Sequence, residues 1–131
     1  MQLKELLSGI IAAVGGVAAW IFGPWDALIT ALLAVIVIDY ATGIFAAALQ
    51  KQLSSKIGFC GLLKKITIFL LVGLAAILDH LVLATNGALR AAVCLFYIMN
   101  EGLSILENAG TLGLPLPDVL KNALIQLNEK K

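Results

Sequence analysis

This chain reads as an all-α integral membrane protein, with about four transmembrane helices and a short amphipathic helix near its C-terminal end. Three observations carry that reading. Of 131 residues, 61% are hydrophobic and only 13% charged, whereas soluble chains average about 45–50% and about 25%. Mean hydropathy is +1.02. The apolar residues gather into four runs close to the ~20 residues that cross a bilayer, and a soluble chain this small has too much surface per volume to hide them from water. A net charge of +1 gives nucleic acid no basic patch to follow. Cys60 and Cys94 stand far apart without a CxxC or a Cys/His cluster, so no metal site, redox motif or cofactor is expected.

The first run, 6–22, is short and rich in Gly and Ala, and ends at the turn Gly23-Pro24-Trp25-Asp26. Lys4 ahead of it and Val17-Ala18-Ala19 within it resemble a cleavable leader. More membrane follows, so the run is taken as a retained span; a three-span alternative lays it flat on the surface. The second run, 27–49, is roughly 34 Å long at the helical rise. A basic loop, 50–65, comes next. In it Ser54-Ser55 are expected to cap a short interfacial helix through Ile57-Gly58-Phe59 to Leu63, with Lys56, Lys64 and Lys65 as head-group anchors. The third run, 66–83, and the fourth, 88–106, are joined by Ala84-Thr85-Asn86-Gly87. Gly110, Gly113, Pro115 and Pro117 then break the helix. In the tail, 118–131, Val119, Leu120, Ala123, Leu124 and Leu127 recur at helical spacing opposite Asp118, Lys121, Asn122 and Gln126. That pattern predicts an amphipathic helix on the inner membrane surface or against a neighbour.

Basic residues orient the chain, because loop Lys and Arg favour the cytoplasm. Lys51, Lys56, Lys64 and Lys65 place their loop inside. With four spans, Lys4, Lys121, Lys130 and Lys131 also fall inside, and Arg90 alone lies outside. The expectation is a multi-pass protein of the bacterial cytoplasmic (inner) membrane with both termini in the cytoplasm.

Polar residues within hydrocarbon carry the functional information. A centred Asp costs about 2.5–3.5 kcal/mol on insertion scales, against about 0.3–0.6 gained per Leu or Ile. Asp39, in the middle of the second run, is therefore either a pore-lining or oligomer-interface carboxyl or a buried hydrogen-bonding group facing a neighbouring helix. Gly43 and Ala47 follow at four-residue spacing, with Thr42 and Ala46 beside them, making a stripe that another helix can approach closely. Gly9 with Ala13, Ala12 with Gly16, and Gly15 with Ala19 repeat the spacing. Any one pair fits packing within the chain; together they predict a homo-oligomer. Asp79 and Arg90 come to similar depth across the third turn and are expected to form a structural ion pair, with His80 a hydrogen-bonded neighbour rather than a ligand. On the fourth run Asn100, Ser104 and Glu107 share one face, with Glu101 and Asn108 on the adjoining strip. Such a stripe is the wall of an oligomeric pore, or a buried network within a monomer. No phosphate loop and no nucleophile with a base is present, so enzyme activity is not expected.

Three stretches stand out together: Ile38-Asp39-Tyr40-Ala41-Thr42-Gly43, the loop Leu53-Ser54-Ser55-Lys56-Ile57-Gly58-Phe59 leading to Gly61-Leu62-Leu63-Lys64-Lys65, and the run from Phe96 through Asn100-Glu101-Gly102 to Asn108, followed by Gly113-Leu114-Pro115-Leu116-Pro117. In order and spacing they resemble the toxin-secretion and phage-lysis holins. The resemblance extends from about Asp39 to the C-terminus. It implies a small protein that accumulates in the lipid bilayer and oligomerises into large lesions, through which an endolysin or a large toxin passes without specific binding. The family is often described with three spans. It also implies an antiholin as a potential partner. Met1 and Met99 are the only methionines, so that antiholin would be another protein or use a different start codon. Two other classes fit the bare residue pattern: a small proton-coupled transporter or ion channel, and a non-permeabilising antiholin or membrane anchor.

Overall fold

A computed structural model describes residues 2–22 and 25–129. Among them no strand occurs, and four helices are long and apolar enough to cross a membrane. The first, α1 (Gln2–Phe22), touches α3 and is otherwise exposed along its length. An added Cβ at Gly9, Gly15 or Gly16 meets nothing within 4 Å, so the small-residue spacings of α1 pack on nothing within the chain.

Helix α2 (Ala27–Leu49) starts at Asp26, whose carboxylate accepts the Ile29 N–H at 3.1 Å. This satisfies one of the four N–H groups that a helix start leaves open. At its far end Lys51 adopts a left-handed conformation (φ 57°), and the Lys51 and Gln52 N–H groups return to the Ala48 and Ala47 carbonyls, closing the helix as a Schellman motif.

Helix α3 (Ser55–Ile77) begins eleven residues earlier than the expected span and runs on through a π-helical segment, Leu78–Leu83. The expected break between an interfacial helix and the span at 66 is absent. No proline interrupts the backbone there, and Lys65, expected to anchor the span at the head groups, is paired with carboxylates on two neighbouring helices. Nor does Ser54 cap the helix through its side chain. The 29 residues from Ser55 to Leu83 reach roughly 43 Å, beyond the ~30 Å hydrocarbon thickness; the surplus suits the head-group region.

Helix α4 (Ala88–Thr111) ends in a second Schellman motif, in which Gly113 (φ 88°) and Leu114 donate to the Gly110 and Ala109 carbonyls. Glycine takes this left-handed position without the Cβ clash that other residues meet. The last helix, α5 (Asp118–Glu129), packs on the end of α4 with Val119 and Ile125 exposed. The side chains of Leu124 and Leu127, counted in its expected apolar face, lie outside the described set.

Two short turns make α3 antiparallel to both α2 and α4, which therefore run parallel and pack on each other most extensively. The apolar core joins Ile29, Leu32 and Ile36 of α2 to Ile68 and Val72 of α3 and Cys94 of α4. The outer surface is apolar too, with Val37, Leu70, Phe96 and Met99 among many exposed large side chains. A protein apolar inside and out is built for lipid.

Candidate functional site

Helical periodicity carries the inward stripes past the apolar core. On α2 the buried positions Ile29, Leu32 and Ile36 are followed by Asp39 at the same three-and-four spacing. On α3 Lys65 precedes Ile68 and Val72 by one and two turns. On α4 Arg90, Cys94 and Glu101 are buried and Asn108 continues the seven-residue step. Where the three stripes meet beyond the core, charge replaces hydrocarbon.

There the Lys65 ammonium donates to Asp39 Oδ2 at 2.5 Å and to Glu101 Oε2 at 2.7 Å. The Asp39 and Glu101 side chains are 7% and 2% exposed, and Lys65 19%. The Asn108 amide adds bonds to Asp39 Oδ1 (2.9 Å), the Asp39 carbonyl (3.2 Å) and Thr42 Oγ1 (2.9 Å). Each of three helices thus contributes a charge, and no buried side-chain polar atom among the described residues lacks a partner. Two carboxylates share one ammonium, which leaves the group one formal negative charge when all three are ionised. Nearby, Tyr40 donates to the Gly58 carbonyl at 3.1 Å, and an added Cβ at Gly58 would stand 3.5 Å from its hydroxyl.

Two cavities flank the network. One of about 320 Å³ is lined by Asp39, Gly43, Ala47, Ser104, Glu107 and Asn108 among others; the other, about 450 Å³, by Lys64, Thr67, Asn100 and Glu101. Lys65 and Ser104 line both.

At the opposite end of the bundle a second polar group ties the helix starts. Asp79, 2% exposed, accepts the Leu89 N–H at 3.0 Å, the Arg90 N–H at 2.7 Å and the Thr85 hydroxyl. It caps α4 from the π-helical segment, because the residue at the cap position is Gly87, which has no side chain to offer. The Arg90 guanidinium turns to Asp26, with Nη1 3.0 Å from Oδ2. The hydrogen bond from Arg90, followed by that from the Ile29 N–H, holds the Asp26 carboxyl below the ordinary carboxylate range.

This arrangement is found in a chain that matches the bacteriophage holin family over residues 16–129. The chain belongs to that family. Among similar proteins, a probable holin of Bacillus phage phi105 is 38% identical over 106 residues, which cover 81% of this chain and 77% of the phage protein. An uncharacterized 14.9 kDa protein in the nagH 3′ region of Clostridium perfringens is 45% identical over 121 residues, 92% of each chain. An uncharacterized protein of Listeria monocytogenes is 42% identical over 128 residues, covering 98% of this chain and 91% of that one. No solved structure matches. The role is thus of the holin type, in a membrane protein.

Seen in this holin fold, the residues singled out by sequence fall into three groups. Asp39 and Glu101 meet at Lys65, which was expected to be a head-group anchor, and Asn108 bonds Asp39. Gly43, Ala47, Ser104 and Glu107 line the cavity beside them, and Asn100 lines the cavity opposite. Lys56 and Lys64 are exposed. The expected side-chain ion pair of Asp79 with Arg90 is corrected: the two residues meet through the Arg90 backbone N–H, and the guanidinium selects Asp26. A buried carboxylate already accepting helix-start N–H groups is satisfied without it. Sequence reasoning passed over Asp26 because it reads as part of a Gly-Pro turn, although Asp ahead of an apolar helix is itself a cap signal. His80, expected to be hydrogen-bonded, is exposed.

Proposed function

We propose that this chain accumulates in the cytoplasmic membrane, oligomerises and forms lesions that release an endolysin or a large toxin. The observation that carries the reading is the family match, which takes in every helix of the ionic network. The size of the cavities adds a physical argument. Some 320 and 450 Å³ hold on the order of ten to fifteen waters at ~30 Å³ each, far less than a folded enzyme occupies, so protein cargo requires a lumen built by many copies. In such a lumen Asp39 and the Asn100/Glu101/Ser104 strip would face water, which removes the penalty of holding charge against hydrocarbon. The small-residue spacings of α1, unpacked within the chain, supply surfaces for close helix contact between copies. Both termini and the turn at Lys51 that joins α2 to α3 are assigned to the cytoplasm by the positive-inside tendency.

Induced expression in bacteria, with and without a co-expressed cytoplasmic endolysin, tests the proposal. Optical density and release of a cytosolic enzyme are followed over time. Abrupt lysis confined to the culture with endolysin is the expected result. Ion leakage without protein release assigns the chain to the channel or transporter class instead, and an inert protein present in the membrane assigns it to the antiholin or anchor class.

A further inference from the structure

The network at the Asn108 end does something the helices themselves do not require. Asp39, Lys65 and Glu101 sit within helices, where backbone groups are already bonded to one another. Buried ion pairs are commonly no more stabilising than apolar side chains of the same volume. Two carboxylates from α2 and α4 grip one ammonium from α3, and Asn108 gives α4 a second hold on α2. Cavities on both sides, each bordered by Lys65, leave these side chains room to rearrange while the apolar core from Ile29 to Cys94 stays packed. At the other end the helix starts are held separately through Asp26, Asp79 and Arg90.

We propose that the Asp39–Lys65–Glu101–Asn108 network is an autoinhibitory latch: closed, it keeps α2, α3 and α4 in a conformation that cannot line a lesion, and its opening commits a copy to assembly. This rests on the lesion-forming function proposed above. A lone copy that opened would turn charge toward hydrocarbon, which is strongly unfavourable. Copies that open side by side share water instead. The latch thus disfavours opening at low density and lets it become favourable at high density, so that permeabilisation has a threshold.

A reversible lock tests this. An added Cβ at Gly43 stands 3.6 Å from Asn108 Nδ2, so cysteines introduced at the two positions lie within reach of a short bis-methanethiosulfonate reagent, whose bridge between α2 and α4 is removed by reduction. The full chain carrying Gly43→Cys and Asn108→Cys in a Cys60→Ser background is added to phosphatidylethanolamine/phosphatidylglycerol vesicles loaded with fluorescent dextran, beside the wild type, with the cross-link verified by mass spectrometry. Wild type should release dextran with or without the reagent, and the cross-linked pair only after reduction. Release by the fully cross-linked pair at the wild-type rate overturns the latch. Wild type that releases nothing overturns the lesion-forming function itself. Independently, Asn108→Ala removes the second hold without stranding a charge. Loss of hydrogen bonds to a charged group should shift the closed-to-open ratio by about tenfold and bring lysis forward in cells at equal membrane abundance. Unchanged or delayed lysis overturns the proposal as well.

Discussion

At the Arg90 end of the bundle, charged groups sit where helices begin; at the Asn108 end they sit within helices that are already complete. Asp26 and Asp79 accept N–H groups that α2 and α4 would otherwise leave open, and Arg90 ties Asp26 to α4, the helix that Asp79 caps. Charge placed this way is part of making a helix. Asp39, Lys65 and Glu101 serve no terminus, and their burial is compensated only by one another and by Asn108. The comparison teaches that intramembrane charge has to be weighed by where it lies along its helix. At a terminus a structural duty accounts for it, and within a helix the only duties left are between helices or between molecules.

Changes at the Asn108 end should have the largest effects. Lys65→Met strands two buried carboxylates and should lower stability by about 3–5 kcal/mol, read as loss of the folded, detergent-solubilised protein on heating. The neutral combination Asp39→Asn, Lys65→Met, Glu101→Gln should restore most of that loss. If it does not, the network is a structural necessity and the contrast between the two ends fails. Leu32→Ala, at a position 0% exposed in the shared core, should lower stability by about 2–5 kcal/mol without selectively altering either polar group. Asp79→Ala removes the α4 cap and should reduce stability by about 1–2 kcal/mol, with faster hydrogen exchange confined to the first turn of α4.

The smallest effect belongs to Asp26. Its carboxyl is depressed when folded, so its contribution is fully present above the ordinary carboxylate pKa of about 3.9 and is lost as pH falls through the lower folded value. The stability difference between wild type and Asp26→Asn should therefore be constant from about pH 8 to 5 and vanish only in stronger acid. A difference that fades near neutrality would remove the Arg90 contact from the account.

Much of this is legible in the sequence. Composition demanded a bilayer, the run 27–49 coincides with α2, and Gly113 with its neighbouring prolines marked the end of α4. Asp39 and Glu101 stood out because a carboxylate in an apolar run needs a reason. Lys65 did not, because a Lys-Lys pair after a polar loop has a sufficient explanation at the head groups. Only its three-residue offset from Ile68 hints that it shares the inward face. Asp26 was hidden in the same way by the turn around it.

The sequence by itself determined that the chain is helical, where its spans lie in outline, and which residues share a face, because these follow from local hydropathy and the 3.6-residue period. Tertiary structure alone decided that Lys65 answers Asp39 and Glu101, and that the Arg90 guanidinium answers Asp26 while Asp79 takes the Arg90 backbone N–H. The rotation of one helix about its axis relative to the next is set by packing, and a flexible charged side chain several carbons long reaches whichever carboxylate that rotation brings near.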